Sequence, residues 1–227
     1  MSHIFRLRTL PTLSAVLLVL PLLLLTPAAR AQFSQPQTTQ VHDTTALRPP
    51  VGAKVAIVEF EDLECPDCAK AHPMLREASA KYHIPYIHHD FPLPFHIWSF
   101  DAAVNARWFD RKLKKIGEEY RDQVFANQQS IRTGADLRTF TEKFAKEHKL
   151  SFPFAVDPQG TLTALVKADY ALGQRIGIEH TPTIWIVSRG GKNAAPFVEV
   201  VDRSVLYQLI DQAIAATGGS AKAAPKK

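Results

Sequence analysis

The sequence has very little cysteine: Cys65 and Cys68 are the only two cysteines in 227 residues. Two cysteines three positions apart cannot form a framework of several disulfides, so a small disulfide-braced fold is excluded. Ala69 stands where a histidine must follow the second cysteine for covalent haem attachment, which excludes a c-type haem site. Any sulfur chemistry of this chain is therefore concentrated at one Cys-x-x-Cys pair.

Motifs for nucleotides, flavins and haem are also missing. We therefore expect no cofactor, with electrons passing through the two sulfurs alone. A second Cys-x-x-Cys pair, on which structural zinc sites usually draw, is missing as well. A single metal site is nevertheless one interpretation of the Cys-x-x-Cys pair, because the two cysteines could share an ion with nearby histidines: His72, His88, His89 and His96.

The amino terminus carries the pattern of an export signal. Arg6 and Arg8 precede an apolar stretch over 13–25, and small residues at 29–31 suit a signal peptidase. The stretch is shorter than the roughly 20 apolar residues of a membrane span and is broken by Pro21, so a permanent anchor is less favoured. We expect cleavage after Ala31 and a periplasmic or otherwise extracytoplasmic location.

The net positive charge of the chain comes mostly from its two ends and not from its central part. The predicted signal contains three of the 27 basic residues and none of the 22 acidic ones, so the rest is close to neutral. No basic surface typical of nucleic-acid binding remains, and we expect no nucleic-acid partner. Residues 32–50 are polar, and we expect them to form a linker or leader segment. We expect residues 51–217 to form one domain and residues 218–227 to form a disordered tail.

The apolar pattern predicts the order of the secondary structure. A strand over 55–60, a helix from Cys65 to about Tyr82 and a strand over 84–89 form a parallel βαβ unit, with the cysteines at the start of the helix. Four helical segments follow, then two strands over 183–187 and 197–201, and a last helix over 205–214. This order predicts a thioredoxin fold, a mixed sheet flanked by helices, with a helical insertion at about 96–176.

The motifs extend this prediction to a family. The segments 59–68, 90–96, 171–173 and 181–183 resemble those of the DsbA-like thiol:disulfide oxidoreductases of the thioredoxin superfamily. The resemblance implies an exported enzyme that exchanges the Cys65–Cys68 disulfide with thiols of unfolded or reduced exported proteins, with the introduction of disulfides favoured. It also implies recycling by a quinone-linked membrane partner and, without a separate dimerisation domain, a monomer.

Two alternatives use the same residues differently. A reductase or isomerase-like electron carrier would share the whole site and differ in reduction potential and partners. A peptide-binding chaperone of the same fold would bind extended chains without redox turnover. Replacing Cys65 separates these classes, because only an oxidoreductase depends on that sulfur.

The four residues of the motif have distinct expected roles. Cys65 lies at a helix start, where backbone N–H groups stabilise a thiolate, and is expected to be the exposed attacking sulfur. Cys68 lies one turn inside and is expected to resolve the mixed disulfide. Pro66 fits the first helical turn. The carboxylate of Asp67 is expected to raise the pKa of Cys65, which leads to the hypothesis of a less oxidising couple.

Glu59, six residues before Cys65, corresponds to a buried acid that, in the resembling family, exchanges a proton with the inner cysteine. His88 or His89 is a possible partner for it across the sheet, although both could equally be surface histidines. The alternative for Glu59 is a solvated acid at the end of a strand.

The resemblance also implies a cis bond between Thr181 and Pro182, which would place the backbone against the cysteines. Thr181 would then flank the sulfur and pair with an extended substrate. The alternative is a trans proline at the start of a strand. His96 and Trp98 are expected either to line a peptide groove or only to begin a helix.

Overall fold

The computed structural model describes residues 38–190 and 195–218. The predicted export signal lies outside the described residues, as do the tail beyond Gly218 and residues 191–194. Within the described ranges, no helix has the length and apolarity needed to cross a membrane.

The amino-terminal half of the sheet is a parallel βαβ unit, as predicted. It consists of β1 (Val55–Glu61), α1 (Pro66–Tyr82) and β2 (Tyr86–Asp90). All seven residues of β1 are buried, because β1 lies between two other strands and is covered on both faces. β2 begins two residues later than the pattern suggested.

The helical insertion consists of the four expected helices: α2 (Ser99–Lys112), α3 (Lys114–Asn127), α4 (Gly134–Glu147) and α5 (Thr161–Ile176). The aromatic residues of α2, α3 and α4 pack into one cluster, in which the ring centroids of Phe109, Tyr120 and Phe144 lie 4.7 to 5.2 Å from one another. The same cluster contains Cys65 and Cys68. These aromatic residues therefore form part of the hydrophobic core, and the insertion packs directly against the two cysteines.

The carboxyl-terminal half adds β3 (Thr183–Ser188), β4 (Phe197–Glu199) and α6 (Leu206–Ala216). The strand order is β2-β1-β3-β4, with β3 antiparallel to both neighbours. The mixed sheet with a helical insertion between its second and third strands confirms the predicted thioredoxin fold. β4 is two residues shorter than predicted.

A glycine lets the insertion approach the sheet. A Cβ on Gly173 of α5 would lie 2.5 Å from the ring of Phe91, which follows β2. Any larger residue at this position would therefore force α5 away from the sheet.

The described part of the predicted linker contacts the domain. The Thr39 N–H and hydroxyl donate to Glu199 at 2.6 and 2.9 Å, and the His42 N–H donates to the Ile176 carbonyl at 2.9 Å. Leu47 is only 2% exposed. Residues 38–50 thus contribute to the packed structure.

Candidate active site

Both cysteines are free thiols at the amino terminus of α1. Cys65 is the N-cap residue, and Pro66 occupies the first helical position, as expected. Cys68 is fully buried, and Cys65 is only 6% exposed, so the expectation of an openly exposed Cys65 was wrong. The helical insertion covers Cys65, together with the loop at Thr181, whose carbonyl oxygen lies 3.3 Å from the Cys65 Sγ.

The two thiols differ in acidity. The pKa of Cys65 is lowered to about 5, chiefly by a hydrogen bond from the Cys68 thiol, against the effect of burial. The Thr181 side chain and the backbone N–H groups of Cys68 and Asp67 lower it further. Burial raises the pKa of Cys68 well above its ordinary value. At neutral pH the site therefore holds a thiolate at Cys65 and a protonated thiol at Cys68.

Asp67 does not produce the expected increase in the pKa of Cys65. Arg203 donates from Nη2 to the Asp67 carboxylate at 3.0 Å and from Nη1 to the Asp67 carbonyl at 3.1 Å. This ion pair offsets the negative charge next to the sulfur, while the Asp67 N–H stabilises the thiolate. The expectation from the sequence was wrong because it considered Asp67 without Arg203, a counterion that is remote in the chain.

Replacing Arg203 with alanine is expected to raise the pKa of Cys65 by about 1, because the Asp67 carboxylate would then face the thiolate without a counterion. Thiolate absorbance measured against pH reports this value directly. Asp67→Asn is the matched control, since it removes the charge that Arg203 neutralises. In the Asp67→Asn background, Arg203→Ala should change the pKa little; an equal change in both backgrounds would contradict the argument.

Glu59 is 1% exposed, so the alternative of a solvated acid was wrong. Burial raises the pKa of Glu59 to about 7; the Cys65 charge also raises it, whereas a hydrogen bond from the Tyr86 hydroxyl lowers it. That hydroxyl donates to the Glu59 Oε2. His88 lies opposite Glu59 in the sheet without a hydrogen bond to it among the described residues, and His89 contacts Asp169 at 2.9 Å.

Neither histidine is therefore the partner of Glu59. Sequence reasoning missed Tyr86, although a signal was present. Residues two apart on a strand share a face, so Tyr86 shares the face of His88 and lies diagonally across from Glu59.

The Thr181–Pro182 bond is cis, as the resemblance implied. Pro182 lines a cavity of about 210 Å³ together with Asp67 and Arg203. The loop of Thr181 and Pro182 thus contacts Cys65 and borders this cavity.

Asp62 organises the other side of the site and was missed as a functional residue. Its carboxylate accepts the His96 Nδ1 at 2.7 Å, the Leu93 N–H at 2.6 Å and the Ser99 hydroxyl at 2.5 Å. Its own N–H lies 3.5 Å from the Cys68 Sγ. His96 is therefore fixed to Asp62 on a loop before α2, and it does not begin that helix.

A second cavity, of about 820 Å³, lies beside the start of α1. Pro66, Trp98 and Phe125 line it, so Trp98 borders a groove next to the motif. Gln128 on another wall donates from Nε2 to the carbonyls of Leu63 at 2.7 Å and Cys65 at 3.1 Å. The insertion is thereby hydrogen-bonded to the backbone of the motif.

Three of the four histidines of the metal interpretation contact different carboxylates. His72 contacts Asp122 at 2.6 Å, whereas His89 and His96 contact Asp169 and Asp62. Across residues 38–190 and 195–218, no group of three or more histidine, cysteine, aspartate or glutamate side chains is placed to hold a metal ion. The chemistry that the arrangement supports is thiol–disulfide exchange at Cys65.

Comparison with known proteins gives a family match and several similar folds. A family model described as thioredoxin matches residues 51–198. The structure of Wolbachia pipientis alpha-DsbA1 is 19% identical, with a TM-score of 0.57 over 74% of this chain and 92% of that one. Pseudomonas aeruginosa DsbA2 is 22% identical, with a TM-score of 0.52 over 78% and 96%.

A periplasmic thioredoxin-like protein from Salmonella enterica serovar Typhimurium is 19% identical, with a TM-score of 0.56 over 74% of this chain and 88% of that one. The Na(+)/H(+) antiporter NhaA 3 of Salinispora tropica is 24% identical over 188 residues, which cover 78% of this chain. The chain spans about a quarter of the length of that curated relative, 26%. At these identities the solved structures establish the fold alone.

Proposed function

Because the chain belongs to the thioredoxin family, we propose that it is a thiol:disulfide oxidoreductase that exchanges the Cys65–Cys68 disulfide with the thiols of substrate proteins and introduces disulfides into them. One observation carries the proposal: an acidic thiol at a helix amino terminus adjoins a buried, protonated one. This asymmetry provides one sulfur that reacts with substrates and one that reacts only with its neighbour.

In the proposed oxidation, a substrate thiolate attacks the Cys65 Sγ of the disulfide. The Cys65–Cys68 bond breaks, a mixed disulfide forms at Cys65, and Cys68 leaves and takes up a proton. A second substrate thiolate then attacks the substrate sulfur of the mixed disulfide and releases Cys65 as a thiolate. The substrate loses two electrons and two protons; the protein gains both electrons and one proton, and the other proton passes to solvent.

The acidity of Cys65 favours this direction. A low pKa makes Cys65 a good leaving group and stabilises the reduced protein, which makes the disulfide more oxidising. Arg203 supports the same outcome by pairing with Asp67. These contacts oppose the hypothesis of a less oxidising couple that the acidic surroundings of the motif suggested.

The other site residues have proposed supporting roles. Glu59 exchanges a proton with Cys68, because their charges influence each other within the buried interior. The backbone at Thr181, held by cis-Pro182, pairs with an extended substrate beside Cys65. Pro66 and Asp67 tune the thiolate. His96 acts indirectly, by orienting Asp62 against Cys68.

We further propose that the protein acts outside the cytoplasm on unfolded or reduced exported proteins, as a monomer recycled by a quinone-linked membrane oxidoreductase. The signal pattern at 1–31 supports this location, as does the similar fold of the periplasmic thioredoxin-like protein from Salmonella enterica. Oxidising compartments are also where proteins with stable disulfides mature.

The deciding experiment is the equilibrium reduction potential of the two cysteines in a glutathione buffer. We expect a value nearer to about −120 mV than to about −270 mV, because the thiolate stabilises the reduced form. Oxidation of a reduced, denatured test protein should accompany it. A value near about −270 mV with insulin reduction would instead support a reductase. No exchange with glutathione would reject the redox function.

A further inference from the structure

Tyr86 separates the buried Glu59 from a cavity that opens at the protein surface. Its hydroxyl donates to the Glu59 Oε2, whereas the Glu59 Oε1 is buried and has no hydrogen-bond partner in the described ranges. Tyr86 also lines a cavity of about 420 Å³, whose walls include His88, Arg107 and the exposed Lys114. Tyr86 therefore contacts Glu59 on one side and the cavity on the other.

Glu59 itself is enclosed by the surrounding strands within the part of the chain that the structure describes. It lies on the central strand between β2 and β3, and its residue is 1% exposed. Its partners across the sheet are His88 and the apolar Ile184. A carboxyl group in this position can hold a proton but cannot exchange it with bulk water directly.

We propose that Tyr86 acts through Glu59: its hydroxyl passes protons between the Glu59 carboxyl group and water in the cavity. A tyrosine hydroxyl can accept one proton while it donates another, so the ring need not ionise. Burial and the neighbouring carboxyl groups hold the pKa of Tyr86 well above its ordinary value, consistent with a hydroxyl that stays neutral. The inference rests on the proposed thiol–disulfide exchange.

The step that needs this path is resolution of a mixed disulfide. When Cys65 carries glutathione, Cys68 attacks the Cys65 Sγ, the Cys65–Cys68 bond forms, and glutathione leaves as a thiolate with the electron pair of the broken bond. The Cys68 proton passes to Glu59. Glu59 then returns it through the Tyr86 hydroxyl to water, so that it is again ready to accept.

Several charged or titratable groups surround Glu59 on the neighbouring elements. They come from β1, the start of α1, β2 and the turn before α6: Glu61, Cys65, Cys68, Tyr86, His88 and Arg203. Among these, Tyr86 is the hydrogen-bond donor to Glu59. Removing its hydroxyl should therefore raise the pKa of Glu59 and move resolution to higher pH.

The test uses Tyr86→Phe in the full chain. Oxidised glutathione is mixed with the reduced protein, and the mixed disulfide is followed by acid trapping and mass spectrometry over a range of pH. We expect resolution about tenfold slower near neutral pH, with a pH midpoint about 1 higher. Alkylation of Cys65 by iodoacetamide should keep its rate, because it reports that thiolate alone.

Tyr82→Phe is the matched control, because its hydroxyl contacts the Tyr207 carbonyl at 3.5 Å. The effect of Tyr86→Phe should disappear in the Glu59→Gln background, where no carboxyl proton is exchanged. An unchanged pH profile, or an equal slowing in that background, would overturn the inference while leaving the proposed function intact. If the unsubstituted protein formed neither the mixed disulfide nor the Cys65–Cys68 disulfide, the proposed function would instead be rejected.

A second measurement applies if Tyr86→Phe does not fold. The near-ultraviolet tyrosine spectrum of the unsubstituted protein should change as Glu59 titrates with a midpoint near pH 7. This change should persist in Tyr82→Phe and vanish in Glu59→Gln. A spectrum identical in the unsubstituted protein and Glu59→Gln over the whole pH range would overturn the inference.

Discussion

Replacing Cys65 with serine is expected to reduce disulfide exchange by about a thousandfold or more, to the uncatalysed background. A serine hydroxyl is not ionised near neutral pH and cannot form the mixed disulfide, whereas the Cys65 thiol has a pKa of about 5. The measurement is the rate at which the protein oxidises a reduced test substrate in glutathione buffer.

Cys68→Ser is the matched control for this prediction. It keeps the reactive sulfur and removes the resolving one. Oxidised glutathione in the buffer converts Cys65 to a mixed disulfide, from which a substrate thiolate displaces glutathione, so covalent complexes with substrates should accumulate on a non-reducing gel. Cys65→Ser should accumulate none. If Cys65→Ser retained exchange, or if only Cys68→Ser failed to form complexes, the assignment of the two sulfurs would be reversed.

The same pair of variants separates an oxidoreductase from a chaperone. A peptide-binding module without redox turnover would suppress aggregation of an unfolded protein equally well with Cys65→Ser. If that suppression is strong in the unsubstituted protein and exchange with glutathione is absent, binding alone is the function. We expect the opposite, with exchange in the unsubstituted protein and its loss on substitution.

Replacing Arg121 with leucine is expected to destabilise the protein by about 3–5 kcal/mol. Arg121 is 1% exposed, and its guanidinium lies 3.3 Å from Glu61, 3.7 Å from Asp90 and 3.2 Å from Asp110. Without it, the carboxylates would remain buried near one another with less compensation. Urea unfolding at neutral pH measures the loss.

Arg138→Leu is the matched control for Arg121→Leu. Arg138 pairs with Glu142 at 2.5 Å one turn along the same helix, and both side chains are partly exposed. Such a surface pair contributes only about 0–1 kcal/mol. The difference in the free energy of unfolding between Arg121→Leu and the unsubstituted protein should become smaller at acidic pH, because protonated carboxyl groups need no counterion. A loss below about 1 kcal/mol for Arg121→Leu would show that the cluster contributes little net stability.

Local patterns in the sequence were sufficient for most of the fold. The apolar run over 55–60 predicted β1, and the apolar pattern predicted the four helices of the insertion in their order. These features are predictable because they depend on residues within one or two turns of each other. The boundaries of β2 and β4 were less accurate, because a strand ends where its partner stops pairing with it.

The candidate site was predicted in its residue types and not in its electrostatics. The motif placed Cys65 and Cys68 at a helix start, and Pro66 at its first turn, since spacing along the chain decides this. The acidity of Cys65 also depends on remote residues, because Thr181 lowers its pKa and Arg203 pairs with the neighbouring Asp67 from 136 residues away. A sequence pattern within one segment contains no information about such a distant counterion.

By itself, then, the sequence determined the cysteine pair, the order of strands and helices, and the thioredoxin fold. The tertiary structure alone decided which groups surround the sulfurs: Tyr86 on Glu59, His96 on Asp62, and the helical insertion over Cys65. The physical reason is that burial and charge pairing, which control acidity in the interior, arise only when remote segments pack together.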